Sequence, residues 1–320
     1  MKNRFMDWFG LTAPILQAPI GNAATVPLVE AVGRAGGMGS LAVTWTDQAT
    51  GDARIAGLAA AGVPYFLNFV LRFGTASVER FLRPGLPAIT LSWGIDQAII
   101  ARAKAMGVRA GVQVGSAAGA RAAIGAGADF IIAQGMEGGG HVQSTTPLRL
   151  LLPRVLEAAG DTPVIAAGGI ARASDIAALI KAGAQAVMMG TRFLASEEAD
   201  VHVDHQRAIV SAGVADWAFT NCFDVGWPYA MHGVLRNSTL EMWEAAGSPA
   251  PPHRPGEGDI VARHGEQPIV RYCDTPPRRE ATGDVLACCL YAGQSAAFID
   301  DVAPAAQIVH RLWTEAAALM

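Results

Sequence analysis

Charge is scarce in this chain. Charged residues make up 16% of the 320 and hydrophobic residues 51%, with a formal net charge of −4. Soluble domains usually carry about 25% charged residues. The shortfall points to a high ratio of interior to surface or to an apolar face covered by a partner, so a homodimer stays open. No basic excess exists to attract nucleic acid or an anionic membrane. Lysine is limited to Lys2, Lys104 and Lys181, beside many arginines. Cysteine is also rare: Cys222, Cys273, Cys288 and Cys289 match no zinc spacing, and the adjacent pair falls in an apolar segment as packed thiols would. Long apolar runs are missing, so no membrane span is expected, and "MKNRFMDWFG" lacks the apolar core of a signal peptide. The expected setting is a reducing cytoplasm.

Several motifs are missing too. There is no Walker sequence, and "QAPIGNAAT" does not form the G-x-G-x-x-G turn of a dinucleotide fold. "AGQSAA" lacks the second glycine of a nucleophile elbow. His202 and His205 are spaced for one helix face but have no third ligand, which predicts a solvated face rather than a metal site.

What is present is a rhythm. Short β-rich runs at 14–20, 37–43, 64–70, 88–93, 109–115, 129–135, 163–169 and 186–193 alternate with Ala-rich helical segments such as 96–107, 116–127 and 174–183. Asp96 and Ser174 stand where helix N-caps belong, and glycines close several of the helices. Eight such units predict a (β/α)8 TIM barrel, an α/β fold that typically needs ~250 residues, in preference to an open doubly wound sheet. The rhythm stops near residue 213. The expected organisation is a barrel over 1–213, a Trp- and Pro-rich subdomain or lid over 214–283, and a helical segment over 284–320 packing back on the barrel. That last helical pattern starts at about Thr282 and is broken by "YAGQS".

In such a barrel, ligands bind at the C-terminal ends of the strands, and the loops after strands seven and eight commonly hold a phosphate. Here those loops are "AGGI" at 167–170 and "MGTRF" at 189–193. Together they predict a phosphate-bearing ligand held by Gly168, Gly169, Gly190 and Thr191. After the sixth strand comes "AQGMEGGGHVQS" (133–144), a concentration of backbone freedom around one histidine.

That stretch resembles the A-Q-G-x-E-A-G-G-H signature of the nitronate monooxygenase family, once called 2-nitropropane dioxygenases. The likeness extends to "PILQAPIGNAATVPLVEAVGRAGGMGSLA", to "PVIAAGGIARASDIAALIKAGAQAVMMGTRFLASEEA" and to "LYAGQSAAFI", covering most of 14–200 and a short later piece. The wider superfamily also contains FMN-dependent enoyl-ACP reductases and NADH:quinone reductases. The resemblance implies an FMN barrel, with the phosphate on Gly168, Gly169, Gly190 and Thr191. Ala18, Pro19, Ile20 and Asn68 would line the flavin ring. Gln113 and Gln134 would reach the ribityl chain or ring edge, and Gly139 and Gly140 would let the chain pass close to the flavin. His141 would be the catalytic residue, and Tyr291, Gly293, Gln294 and Ser295 would return near the cofactor. Glu137 is read either as a brace for its loop or as a solvated carboxylate.

The implied activity is oxidation of an alkyl nitronate with O2 to a carbonyl compound and nitrite. The alternative is an NAD(P)H-dependent flavin reductase acting on an enoyl thioester or a quinone. Departures from the family fall at Ile20, Gly138 and the "VQ" after His141, and they bear on the substrate. From the 214–283 segment, Trp227 and Tyr229 are the first candidates for an apolar wall over the flavin.

Overall fold

The computed structural model describes residues 3–320. Eight parallel strands form its centre: β1 (Ile15–Gln17), β2 (Gly39–Ala42), β3 (Tyr65–Val70), β4 (Ala88–Ser92), β5 (Arg109–Val114), β6 (Phe130–Gln134), then, after the two-residue β7 (Gly140–His141), β8 (Val164–Ala167) and β9 (Ala186–Met189). Their order is β1-β9-β8-β6-β5-β4-β3-β2. A parallel bridge between Leu16 and Met38 joins the two ends into a barrel, with Met38 N–H on the Ile15 carbonyl at 3.1 Å and Gln17 N–H on the Met38 carbonyl at 3.0 Å. Strands β1 to β4, β8 and β9 are buried at every position. A parallel sheet packed on both faces selects such continuous apolar runs.

Inside the barrel, Leu16, Met38, Phe66, Phe130, Ile132, Ile165 and Met188 pack together with Phe5 from the Arg4–Phe9 helix. The Phe5 and Phe130 rings meet edge to face at 5.2 Å, so this helix plugs one end of the barrel. The other end is left for the site.

The strands are shorter than the apolar runs suggested, and the run at 186–193 changes form: β9 stops at Met189 and Thr191–Leu194 is a helical turn. Asp96 does cap its helix, accepting from Ile99 N–H at 3.0 Å. Ser174 does not. That helix begins at Ala173, and Asp175 reaches back to the Arg172 N–H at 3.0 Å, so the serine lies inside the first turn.

The last barrel unit is interrupted. Between the Thr191–Leu194 turn and the Ala305–Ala318 helix lie the Val203–Ser211 and Ser238–Ala245 helices and two small sheets. One consists of β10 (Trp217–Thr220), β11 (His232–Leu235) and the earlier β7; the other of β12 (Ile260–His264), β13 (Gln267–Val270) and β14 (Ala281–Gly283). The Ala305–Ala318 helix then packs on the Ala173–Lys181 and Val26–Arg34 helices and fills the eighth helical place around the barrel.

The helical pattern expected from about Thr282 is corrected here: residues 281–304 contain a strand and two 3-10 turns, and helix starts only at Ala305. The reason is tertiary. Leu290 accepts from Leu235 N–H at 2.9 Å and Ala292 N–H reaches the Gly233 carbonyl at 3.2 Å. Those backbone groups serve β11 rather than a helix. Cys222, Cys288 and Cys289 are buried free thiols, and burial pushes the Cys222 and Cys288 thiols up to about 12. They pack rather than react.

Candidate active site

A cavity of about 660 Å³ opens at the C-terminal ends of the barrel strands. One end is built from glycine. After β8, Gly168 and Gly169 have φ of +101° and +72°, a region that side chains rarely adopt. A Cβ on Gly168 would lie 2.9 Å from the Gly135 carbonyl, and one on Gly169 would lie 2.9 Å from the Glu137 Cβ. These glycines therefore let the loop after β8 nest against the turn after β6. Gly190 and Thr191 follow β9, where the short helical turn begins. The Thr191 hydroxyl accepts the Gly293 N–H at 2.8 Å, tying the returning segment to this end.

The walls come from other strand ends. Ala18, Pro19 and Ile20 follow β1 and line the cavity. Asn68, on β3, donates through Nδ2 to the Thr90 hydroxyl at 3.0 Å, which fixes its amide. Gln113 Nε2 donates to Gln134 Oε1 at 3.0 Å, so the two glutamines act as one unit.

The turn between β6 and β7 is rigid for reasons that can be named. Both Glu137 carboxylate oxygens accept from the Leu148 N–H, at 2.9 and 3.1 Å, at the start of the Leu148–Ala159 helix. The Glu137 carbonyl accepts from Gln294 N–H at 3.0 Å. Glu137 thus braces the loop. Gly139 packs directly on the Ala292–Gly293 backbone, whereas Gly140, at φ +69°, has open space where a Cβ would project. Gly140 and His141 then pair antiparallel with Gly233 and His232 of β11. The histidine is consequently held by a sheet rather than by a free loop.

The His141 ring lies nearly parallel to Trp227, with centroids 4.2 Å apart and planes at 25°. Its Nδ1 is 3.3 Å from the Tyr291 hydroxyl, and its Nε2 is buried without a partner among the described residues. Burial, with a smaller contribution from neighbouring His232, lowers its pKa to about 3. It is neutral at physiological pH. Burial also holds the Tyr291 phenol well above its ordinary range, so it keeps its proton.

Two further histidines support this arrangement. His232 approaches the Ala230 carbonyl through Nδ1 at 3.0 Å and accepts from Phe223 N–H through Nε2 at 3.2 Å. That assigns the proton to Nδ1 and leaves the ring neutral. His205 is buried, with Nε2 3.2 Å from the Tyr291 carbonyl. The solvated face expected for His202 and His205 is therefore corrected. His202 caps its helix, its Nδ1 accepting from Asp204 N–H at 3.1 Å, and His205 positions Tyr291.

His141, Gly139, Gly140, Tyr291, Ser295 and Trp227 all stand on the cavity wall. Gln294 does not, and contributes its backbone N–H to Glu137 instead. Tyr229 is 91% exposed and off the wall, which corrects its expected place beside Trp227. Sequence reasoning missed Trp45, Phe73 and Trp93, which follow β2, β3 and β4 and line the same space. Their signal was available, since each is an aromatic placed just past a strand end. It also missed Asp274, a cavity residue whose carboxyl burial pushes up to about 6.

The family model described as nitronate monooxygenase matches residues 72–315. A (3aS,4S,5R,7aS)-5-hydroxy-7a-methyl-1-oxo-octahydro-1H-indene-4-carboxyl-CoA dehydrogenase from Mycobacterium tuberculosis is 30% identical, covering 99% of this chain and 96% of its own. A nitronate monooxygenase from Pseudomonas aeruginosa is 32% identical over 69% of this chain and 77% of its own. FabK from Thermotoga maritima superposes with a TM-score of 0.82 at 29% identity, covering 100% of this chain and 97% of its own. Together with the barrel and its His141 site, these matches place the chain in the nitronate monooxygenase family of oxidoreductases.

Proposed function

We propose that this chain is an FMN-dependent oxidoreductase that oxidises alkyl nitronates with O2 to carbonyl compounds and nitrite. The observation that carries this reading is the buried Nε2 of His141, unpartnered on the cavity wall, on a ring fixed by Trp227 and Tyr291. A buried polar atom without a partner costs about 1–3 kcal/mol, which a substrate would offset.

The residues fit FMN. The Gly168–Gly169 and Gly190–Thr191 turns precede helical N–H groups, an arrangement suited to a phosphate. The Ala18–Ile20 wall and the side-chain-free face at Gly140 leave room for a flat ring, with Asn68, Gln113 and Gln134 as polar partners. When bound, FMN supplies the redox and O2 chemistry.

The protein's part is orientation and proton control. If the His141 proton sits on Nδ1, shared with the Tyr291 oxygen, Nε2 can accept a hydrogen bond from the substrate, although burial makes it a weak base for the α-proton of a neutral nitroalkane. If Tyr291 donates to Nδ1, Nε2–H can donate to a nitronate oxygen. Trp227 covers one face of the His141 ring, and Trp93 packs on Trp227.

A second reading has its own support. The M. tuberculosis relative acts, by its name, as a dehydrogenase on a carboxyl-CoA, and its match spans 99% of this chain. An oxidoreductase acting on a thioester, with NAD(P)H as partner, uses the same cavity. The deciding experiment is an anaerobic titration of the purified yellow protein with propyl nitronate, NADH and NADPH, followed by aerobic turnover. Bleaching by nitronate with nitrite formed supports the first reading. Bleaching by NAD(P)H alone, reoxidised by an enoyl thioester, supports the second. A folded protein that neither retains nor rebinds FMN overturns both.

A further inference from the structure

Aromatic rings from four separate loops lead from solvent to His141. Trp45, after β2, is 57% exposed, and Phe73, after β3, is 41% exposed. Their ring centroids are 5.1 Å apart. Phe73 meets Trp227 edge to face at 4.8 Å, and Trp227 stacks on His141 at 4.2 Å. Trp93 packs on Trp227 at 4.8 Å and lies 6.5 Å from His141. All of these residues line the same cavity, and its charged wall residues, Asp200, Asp274 and Arg278, are not among them.

Exposed indole and phenyl rings are unusual where they serve no contact, because each keeps a large apolar face in water. Here Trp45 and Phe73 are both exposed on the cavity wall, and their contacts continue inward ring by ring to Trp227 and His141. A short alkyl nitronate beside His141 has too few atoms to reach past Trp227 and Trp93. It leaves Trp45 and Phe73 without a task.

We propose that the substrate carries a planar, uncharged aromatic ring body that lies along Trp45, Phe73 and Trp227 while its reacting carbon sits at His141. The inference deepens the proposed function and rests on it for the reaction, but not for the binding. Edge and face contacts between the ladder and such a ring select it over an open chain of equal hydrophobicity, since ring pairs gain beyond the area they bury. Both outer rings stand at the ends of barrel strands, so they are positioned before the ligand arrives and little ordering is needed on binding.

The test uses Trp45→Ala and Phe73→Ala. Both residues are partly exposed, so the fold should survive, and melting curves check this. The kinetic arm compares propyl nitronate with the nitronate of phenylnitromethane. The expected result is a kcat/KM ratio, aryl over propyl, that falls about 5- to 10-fold in each variant, mainly through KM. The binding arm titrates 2-naphthylmethanol, which cannot react, into the flavin-loaded protein by calorimetry. Its affinity should weaken by a similar factor in both variants.

If no nitronate is oxidised but the probe binds in a Trp45-dependent way, the reaction reading fails and the ring site stands. An unchanged ratio together with unchanged probe affinity overturns the ring site. So does a dimer that dissociates on Trp45→Ala with probe affinity unchanged, because the rings would then serve a second copy of the chain.

Discussion

His141 and Trp227 lie ring over ring, 4.2 Å apart at 25°, although 86 residues separate them in the chain. The indole closes one face of the imidazole, and the Tyr291 hydroxyl occupies its Nδ1 at 3.3 Å. Only Nε2 is left for chemistry. Replacing His141 with Ala is expected to lower turnover by ~10²–10⁴-fold while FMN content stays near that of the parent. Flavin absorbance per protein and steady-state rates measure the two separately. If deprotonation is the role, a neutral nitroalkane suffers more than a preformed nitronate; equal losses would assign His141 to charge stabilisation.

Because burial holds His141 at about 3, its own titration should not create a limb in the pH–rate profile between pH 5 and 8. Tyr291→Phe should reduce kcat by roughly 10-fold, less than the ~10²–10⁴-fold of a group that itself transfers the proton, with a smaller change in KM. Imidazole nitrogen NMR on the parent and the variant would tell which His141 nitrogen carries the proton. A spectrum indifferent to the loss of the hydroxyl would rule out Tyr291 as the group that sets the tautomer.

Gly139 and Gly140 are neighbours with different reasons to be glycine. A Cβ at 139 would fall 2.6 Å from the Ala292 carbonyl carbon and the Gly293 nitrogen, backbone atoms that cannot step aside. Gly139→Ala is expected to destabilise the protein by about 1–3 kcal/mol, as overpacking does, and to loosen FMN. At 140 a Cβ has room, and the penalty comes only from φ +69°. Gly140→Ala should cost about 1 kcal/mol. Urea unfolding midpoints for the pair check the order, and a larger loss at 140 would contradict it.

Acid stability depends on opposing groups. His141, His205 and His232 are held at about 3, about 4 and about 4 in the fold. The unfolded chain binds protons at these residues below about 6.5. The folded chain does not, so their contribution to stability is present above 6.5 and declines as pH falls. Asp274 runs the other way. Its folded pKa is raised to about 6 from 3.8, so its contribution is fully present below 3.8 and is lost as pH rises through 6. The net expectation is stability that falls from pH 6.5 towards 4. Asp274→Asn should steepen that fall and raise stability at pH 8 by roughly 1–3 kcal/mol. Urea unfolding at pH 4, 6 and 8 measures both effects, and a variant less stable than the parent at pH 8 would refute the assignment.

The sequence made the barrel legible because its parallel strands are buried on both faces and read as short apolar runs between glycine-terminated helices. The residues proposed for the phosphate end were visible for the same reason, since Gly168, Gly169 and Gly190 sit where strands stop. What escaped detection depends on contacts distant in sequence. His205 lies on a polar-looking helix, yet its partner is the Tyr291 carbonyl, 86 residues away. The stretch from 281 to 304 has helical composition, but β11 claims its backbone. Asp274 gives no local sign of burial, because the cavity wall against it forms only in the folded molecule. Tyr229 misled because an aromatic next to a wall residue need not share its direction.

The eighth barrel helix comes from residues 305–318, after the insertion whose Trp227 and Asp274 line the cavity. During synthesis, the ring of helices must therefore wait with one place empty until this segment exists. The Val26–Arg34 and Ala173–Lys181 helices keep a bare flank where Ile308, Val309, Leu312 and Ala316 later pack. The inserted segment is made before the barrel wall is complete. A ribosome-tethered chain ending at residue 304 should accordingly bind chaperones that recognise exposed apolar surface and be cut readily by protease, even though every residue lining the cavity has already been translated.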